Sequence, residues 1–224
     1  MTALSNSPAW KSFCEAAEAS PLTSDVLRIV RAADIDVDLS TQRHSAALAQ
    51  ASAQLLAQQG FEQARRDLFE GGIVNWTENR PAWHTALRAK SPPAAVAQDI
   101  QLEQARLASF IEKANSHNLY RYVVHIGIGG SDWGPRLAVE ALKGRSSRRT
   151  IRFASNVDAH AITAALEGLD PHDTLIIVSS KSFTTTESLA NAACAIDWLR
   201  ANKIKNPLDQ FVAVTANPKA ARDF

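Results

Sequence analysis

The stretch Ser179-Ser180-Lys181-Ser182-Phe183-Thr184-Thr185-Thr186 sets six hydroxyl side chains and one lysine in eight consecutive positions. It follows the apolar run Leu175–Val178 and precedes a helical pattern that opens at Glu187. Hydroxyls and main-chain N–H groups can each donate to one anionic oxygen, and a lysine adds charge. Hydrogen bonds to a charged group contribute about 1.5–3 kcal/mol each, so a handful would hold a phosphate monoester. A helix beginning at that point adds the positive end of its dipole. Helix capping explains one or two of these hydroxyls. It leaves the rest, and the embedded Lys181, without a role.

A second stretch offers bare backbone instead of side chains. Gly127-Ile128-Gly129-Gly130-Ser131-Asp132-Trp133-Gly134-Pro135 follows the strand-like Val123-Val124-His125-Ile126. Three glycines within four positions leave N–H groups uncovered, so they can meet an anion directly. A dinucleotide fingerprint, Gly-x-Gly-x-x-Gly, fails here: from Gly127 the sixth residue is Asp132, and from Gly129 the third is Ser131. A Walker loop fails as well, because no Gly-Lys-Ser/Thr closes the turn. An anion cradle and a plain packing turn remain. His125, inside an apolar strand, reads as a core histidine with a satisfied ring. Asp132 is expected to bond the N–H groups of its own turn. Glu187 serves first as a partner for the helix dipole and only second as a site residue.

These stretches need elements to hold them. Beyond Tyr120, strand-like and helical segments alternate: 122–128, 133–142, 150–155, 160–166, 174–179, 187–199 and 211–215. The strands are short and apolar on both faces, Leu175-Ile176-Ile177-Val178 most clearly, as in parallel strands covered on both sides. Repeated βα alternation predicts an α/β fold, a three-layer αβα sandwich with a mainly parallel sheet. In such sheets ligands sit outside the carboxyl ends of the strands, where both chemical stretches fall. Cut after its fourth strand, the sheet is expected to leave an apolar edge exposed.

Residues 1–120 read as a helical N-terminal region packing on a sheet domain of residues 121–224. Helices are expected at 8–19, across 44–69 with a break at Gly60, at 82–88 behind Pro81, and at 95–116. Asp34–Leu39 alternates like a short strand or an extended connector.

Composition narrows the function classes. The 224 residues, 46% hydrophobic and 21% charged, can bury a sizeable core. A net charge of +1 gives no electrostatic bias toward nucleic acid or an anionic membrane. No apolar run is long enough to span a bilayer, and no secretory pattern opens the chain. Cys14 and Cys194 lie far apart and form no metal-type spacing, which suits a reducing cytoplasm. On the residues alone, the expected ligand is a single phosphate group held at the strand ends.

With the strand ends assembled, the sequence resembles the glucose-6-phosphate isomerase (phosphoglucose isomerase) family. The matching residues are Gly127–Pro135, Ser155-Asn156-Val157-Asp158 and Ser180–Ser188, with Asn75–Arg80 and His84–Arg88 upstream. The match runs in family order from about position 40 onward. Departures are mild: Ser182 and Ser188 for threonine, Thr186 for glutamine, and Pro81 after Arg80. The resemblance implies a sugar isomerase domain that takes a sugar phosphate as partner, without metal or organic cofactor. In it Ser180, Ser182 and Thr185 hold phosphate oxygens, helped by the backbone around Lys181, with Thr184 also among the substrate-binding residues. Gly130 and Ser131 would line the same pocket, with Glu187 near the sugar. The parent reaction is the reversible aldose–ketose isomerisation of glucose 6-phosphate and fructose 6-phosphate, through ring opening and a cis-enediolate. Family members are usually homodimers. The family's catalytic glutamate, histidine, lysine and arginine motifs lie in a later part, so no catalytic residue is expected in this chain. It therefore reads as an N-terminal fragment, inactive alone. The alternative is a non-catalytic regulatory module that binds a sugar phosphate; an in-frame continuation of the coding sequence beyond Phe224 would favour the enzyme, a native stop codon the module.

Overall fold

The computed structural model describes residues 4–22, 28–144 and 148–224. The chain divides into two compact units, Met1–Gln104 and Ala105–Phe224.

The first unit carries helix α1 (Pro8–Ala19), strands β1 (Ile29–Ala32) and β2 (Ile35–Asp38), and helices α2 (Ala46–Gln58) and α3 (Phe61–Glu70). Ser7 caps α1 by accepting from the Trp10 N–H at 3.1 Å, and Pro8 supplies a first helical residue that needs no donor. Gly60, at φ +68°, separates α2 from α3. The Asp34–Leu39 alternation is half of an antiparallel hairpin, whose other strand the sequence pattern had not signalled. Its turn residues, Ala33 and Asp34, both take positive φ (50° and 61°), a conformation usually marked by glycine or asparagine.

One expected helix is not there. Residues 82–88 give only a 3₁₀ turn, Ala86–Arg88, built on bonds between residues three apart. Ser91-Pro92-Pro93 follows at once, and prolines have no N–H with which to continue a ladder. Helix α4 (Ala94–Ser116) then runs through the division between the units.

The second unit is built on a four-stranded sheet of β3 (Tyr122–Ile126), β4 (Thr150–Ala154), β5 (Thr174–Ser179) and β6 (Phe211–Val214). The spatial order is β4-β3-β5-β6 and every pairing is parallel. Helices α5 (Gly130–Leu142), α6 (Ala159–Leu166) and α7 (Thr186–Ala201) alternate with the strands, and α8 (Pro218–Asp223) follows β6. Right-handed crossovers put α5 on one face and α6 and α7 on the other, giving the three layers. Val124, Ile126, Ala154, Ile176 and Val178 share the face beneath Ile162, Ala165 and Leu166 of α6 and Ala192, Ala195 and Leu199 of α7. Val124, Ile126, Ile176 and Leu199 are all at or near zero exposure. The edge strand β6 leaves Val214 53% exposed.

From β3 the chain steps outward to β4, then returns past β3 to β5 and onward to β6. The connection therefore reverses direction between β3 and β5. Such a switch point opens a crevice at the carboxyl ends of the two strands. Register aligns Ile126 with Val178, so Gly127 leaves the sheet beside Ser179.

Candidate functional site

Two loops leave the sheet at that switch point, one after β3 and one after β5. After β5, the Ser180 N–H donates to the Val214 carbonyl at 3.0 Å, which carries the sheet one residue further. The chain then turns sharply: the Phe183 N–H reaches the Ser180 carbonyl, and also its hydroxyl, both at 3.2 Å. Phe183 takes φ +54°, sparsely populated for a bulky residue, and its ring is 4% exposed against Phe224. Burying that ring anchors the turn and throws its neighbours outward.

Ser180 is buried, Thr185 half-buried, and Lys181, Ser182 and Thr184 exposed. Ser180 and Thr185 share a hydroxyl–hydroxyl bond of 3.0 Å, and Thr184 donates to Ser182 at 2.7 Å. The four hydroxyls thus stand as two bonded pairs within one loop. Their carbonyls are drawn the other way. The Lys181 carbonyl accepts from Ala216 N–H and the Thr215 hydroxyl, at 3.0 and 3.1 Å, and the Ser182 carbonyl accepts from Asn217 Nδ2 at 3.1 Å. The β6–α8 loop thus covers the negative ends of the peptide groups. Sequence reasoning missed this brace; Asn217-Pro218 read only as a turn.

Helix α7 starts within the cluster. Thr185 sits at its N-cap but makes no capping bond through its side chain, because that hydroxyl is turned to Ser180. A plain capping segment would have used it. The first-turn N–H groups therefore keep their capacity for an anion. Glu187 lies in the same first turn, exposed.

On the other side of the crevice the Gly127 N–H donates to the Ala154 carbonyl at 3.3 Å. Gly129 then takes φ +60°, ψ −122°, a region that only glycine occupies without strain. Cβ atoms placed on Gly129 or Gly130 would meet open space, so the bare backbone faces outward. Gly127 is the opposite case: a Cβ there would lie 2.8 Å from the Ser131 carbonyl oxygen.

That oxygen has a second neighbour. In α5 the donor four residues along is Pro135, which has no N–H. The His125 ring supplies one, Nε2 lying 2.8 Å from the Ser131 oxygen. A carbonyl only accepts, so the bond fixes the proton on Nε2. His125 is 7% exposed and satisfied, as its place in the strand suggested.

Asp132 behaves differently from expectation. Its carboxylate does not tie the turn's N–H groups; it takes a bidentate pair from Arg136, at 2.9 and 3.1 Å. One helical turn separates them, an i,i+4 spacing that sequence reasoning passed over. Asp132 is 3% exposed, so this partner is what permits its burial. Arg136 also approaches the Ser155 hydroxyl at 3.4 Å and lies 4.5 Å above the Phe153 ring, which in turn packs on His125. The β4–α6 loop is held from α7, where Asn191 Nδ2 donates to the Asn156 carbonyl at 2.8 Å. The Ser155–Asp158 stretch is therefore tied to α5 and α7, the helices that follow the two loops.

A concavity of about 640 Å³ lined by Leu142, Lys143, Thr150 and Ile151 lies at the amino end of β4, the opposite end of the sheet. It holds none of these residues.

A family model described as "Phosphoglucose isomerase" matches residues 38–224. The chain belongs to the phosphoglucose isomerase family. Its relatives include the glucose-6-phosphate isomerase of Bordetella avium, 55% identical over 218 residues, covering 97% of this chain and 42% of that protein. The corresponding protein of Sphingopyxis alaskensis is 41% identical over 86% of this chain and 38% of its own length. A crystal structure of a glucose-6-phosphate isomerase from Chlamydia trachomatis aligns over 96% of this chain and 46% of that one, with TM-score 0.83 and 27% identity. The chain thus spans less than half the length of the phosphoglucose isomerases it matches. The α/β fold with its parallel sheet agrees with the family. No helix among the described residues is long and apolar enough to cross a membrane.

Proposed function

We propose that this chain is the phosphate-binding part of a glucose-6-phosphate isomerase, and that the crevice between β3 and β5 takes the phosphate of glucose 6-phosphate or fructose 6-phosphate. What carries the reading is the pairing of the hydroxyl cluster at the mouth of α7 with the uncovered glycine turn at the switch point. In the proposal Ser180, Ser182, Thr184 and Thr185 bond phosphate oxygens, together with N–H groups around Lys181. Lys181 adds charge, and Gly130 and Ser131 line the sugar side. Glu187, exposed in the first turn of α7, is assigned to the sugar side.

The reaction assigned to the whole enzyme is proton transfer between C1 and C2 after ring opening, through a cis-enediolate. It needs positioned acid–base groups and charge stabilisation. The proposal gives none of those roles to this chain: it supplies binding, and the isolated chain does not isomerise. The homodimer expected for the family is part of the same reading. Trp133 and Leu137, one turn apart on α5 and both 71% exposed, offer apolar surface that such an assembly would cover. Cys14 and Cys194, both unpaired thiols, suit the cytoplasmic location proposed with it.

Calorimetric titration of the purified chain with glucose 6-phosphate tests the binding, alongside Ser182→Ala and Thr185→Val variants. Saturable binding weakened in both variants supports the assignment. Binding indifferent to both would remove the hydroxyl cluster from the site. A coupled isomerase assay on the same preparation, freed of host enzyme, is expected to show no turnover; measurable turnover would overturn the division of labour.

A further inference from the structure

We propose that His125 is a positioning residue for the glycine turn: its imidazole replaces the backbone donor that Pro135 removes from α5, and so holds Gly129–Ser131 where the sugar end of the ligand meets it. The inference rests on the sugar-phosphate reading above for its ligand, but on this chain's own geometry for its mechanism.

Three observations converge on one atom, the Ser131 carbonyl oxygen. Pro135 cannot donate to it, the buried His125 Nε2 lies 2.8 Å away, and the missing Cβ of Gly127 leaves the room for it to approach β3. Ser131 in turn fixes the turn behind it, since its N–H donates to the Ile128 carbonyl, and those of Asp132 and Trp133 both donate to Gly129. The ring packs on Phe153, 5.4 Å away, over which the Arg136 guanidinium lies at 4.5 Å. A histidine that served only to fill the core would need none of this. Leucine or phenylalanine would pack a parallel strand as well and carry no polar nitrogen to satisfy.

The mechanism predicts a suppressor. His125→Phe keeps an aromatic ring beside Phe153 but orphans the Ser131 oxygen. Pro135→Ala restores the N–H that α5 would ordinarily provide, so the two substitutions are expected to compensate each other. The probes are glucose 6-phosphate, which spans both loops, and inorganic phosphate, which needs only the hydroxyl cluster. His125→Phe is expected to weaken glucose 6-phosphate by about tenfold while inorganic phosphate stays within about twofold, the difference of one hydrogen bond to a displaced loop. In the double variant with Pro135→Ala, the loss is expected to shrink to about threefold or less, a non-additivity that only a shared contact produces. Equal losses for both probes, or a double variant no better than His125→Phe, would refute the role. Amide exchange of the unliganded chain reads the same mechanism without any ligand. The Asp132 and Trp133 N–H groups should exchange faster in His125→Phe and recover in the double variant, with the β5 amides unchanged. If the wild-type chain binds neither probe, the sugar-phosphate reading fails, and the exchange pattern alone decides for or against His125.

Discussion

Replacing Gly127 by alanine isolates the tightest point of the crevice. The added Cβ would sit 2.8 Å from the Ser131 carbonyl oxygen and 3.1 Å from its carbonyl carbon. Both are backbone atoms, so no rotamer change relieves the contact. Either the end of β3 bends, or the turn slides away from the His125 ring that holds it. Forcing a methyl into a closed space costs about 1–3 kcal/mol, and leaving the carbonyl without its donor adds about 1–3 kcal/mol more. Stiffening the unfolded chain returns about 0.4–1 kcal/mol. The middle of these ranges gives a net loss of about 3 kcal/mol, which for a chain of this size lowers the melting temperature by about 6–12 °C. Gly130→Ala is the control, because a Cβ there meets open space and the residue opens α5. Thermal unfolding followed by circular dichroism should separate the two, with Gly130→Ala at or above the wild type. If Gly127→Ala melted with the wild type, or Gly130→Ala fell as far, the steric argument for the turn would be wrong.

Three further outcomes can be checked on the same chain. Ser188 is 1% exposed and its hydroxyl has no partner among the described residues, so Ser188→Ala is expected to raise stability by about 1 kcal/mol in urea unfolding; a clear loss would reveal a partner for that hydroxyl. Arg136→Ala strands the buried Asp132 carboxylate and should cost about 3 kcal/mol, whereas Asp132→Asn with Arg136 intact, whose guanidinium water can still reach, should cost less; the reverse order would contradict the pairing. Asp38 is held below the usual carboxylate range by the Ser40 hydroxyl, and then by the Ser40 N–H. A depressed folded pKa gives stability that is present above the unfolded value and lost as pH falls through the folded one. An NMR titration should therefore find Asp38 titrating low, and Ser40→Ala should move it back up; an unmoved midpoint would discount the hydroxyl.

The parallel sheet was legible because its strands are short, apolar on both faces and separated by helical runs. Both sides of the crevice were legible too, since glycines and hydroxyls cluster where strands end. The hairpin's first strand was not, because Ala33-Asp34 adopts a turn without the residues that announce one. The helix expected over 82–88 read periodicity correctly, but too few residues remain before Pro92 to propagate it. Asp132 was assigned to its own turn on local rules; a guanidinium one helical turn away competes better than backbone N–H groups do. The His125–Ser131 bond depends on where Pro135 falls in the helix, which only the three-dimensional register reveals. Each depends on which partners the fold brings within reach, and single-residue preferences carry little trace of that.

The most direct test of the sugar-phosphate account is an amide-resolved NMR titration of the ¹⁵N-labelled chain with glucose 6-phosphate. The account predicts saturable shifts concentrated at Ser180–Thr185, in the first turn of α7 and at Gly130 and Ser131. Shifts that are absent, or confined to residues away from the carboxyl ends of β3 and β5, would contradict it.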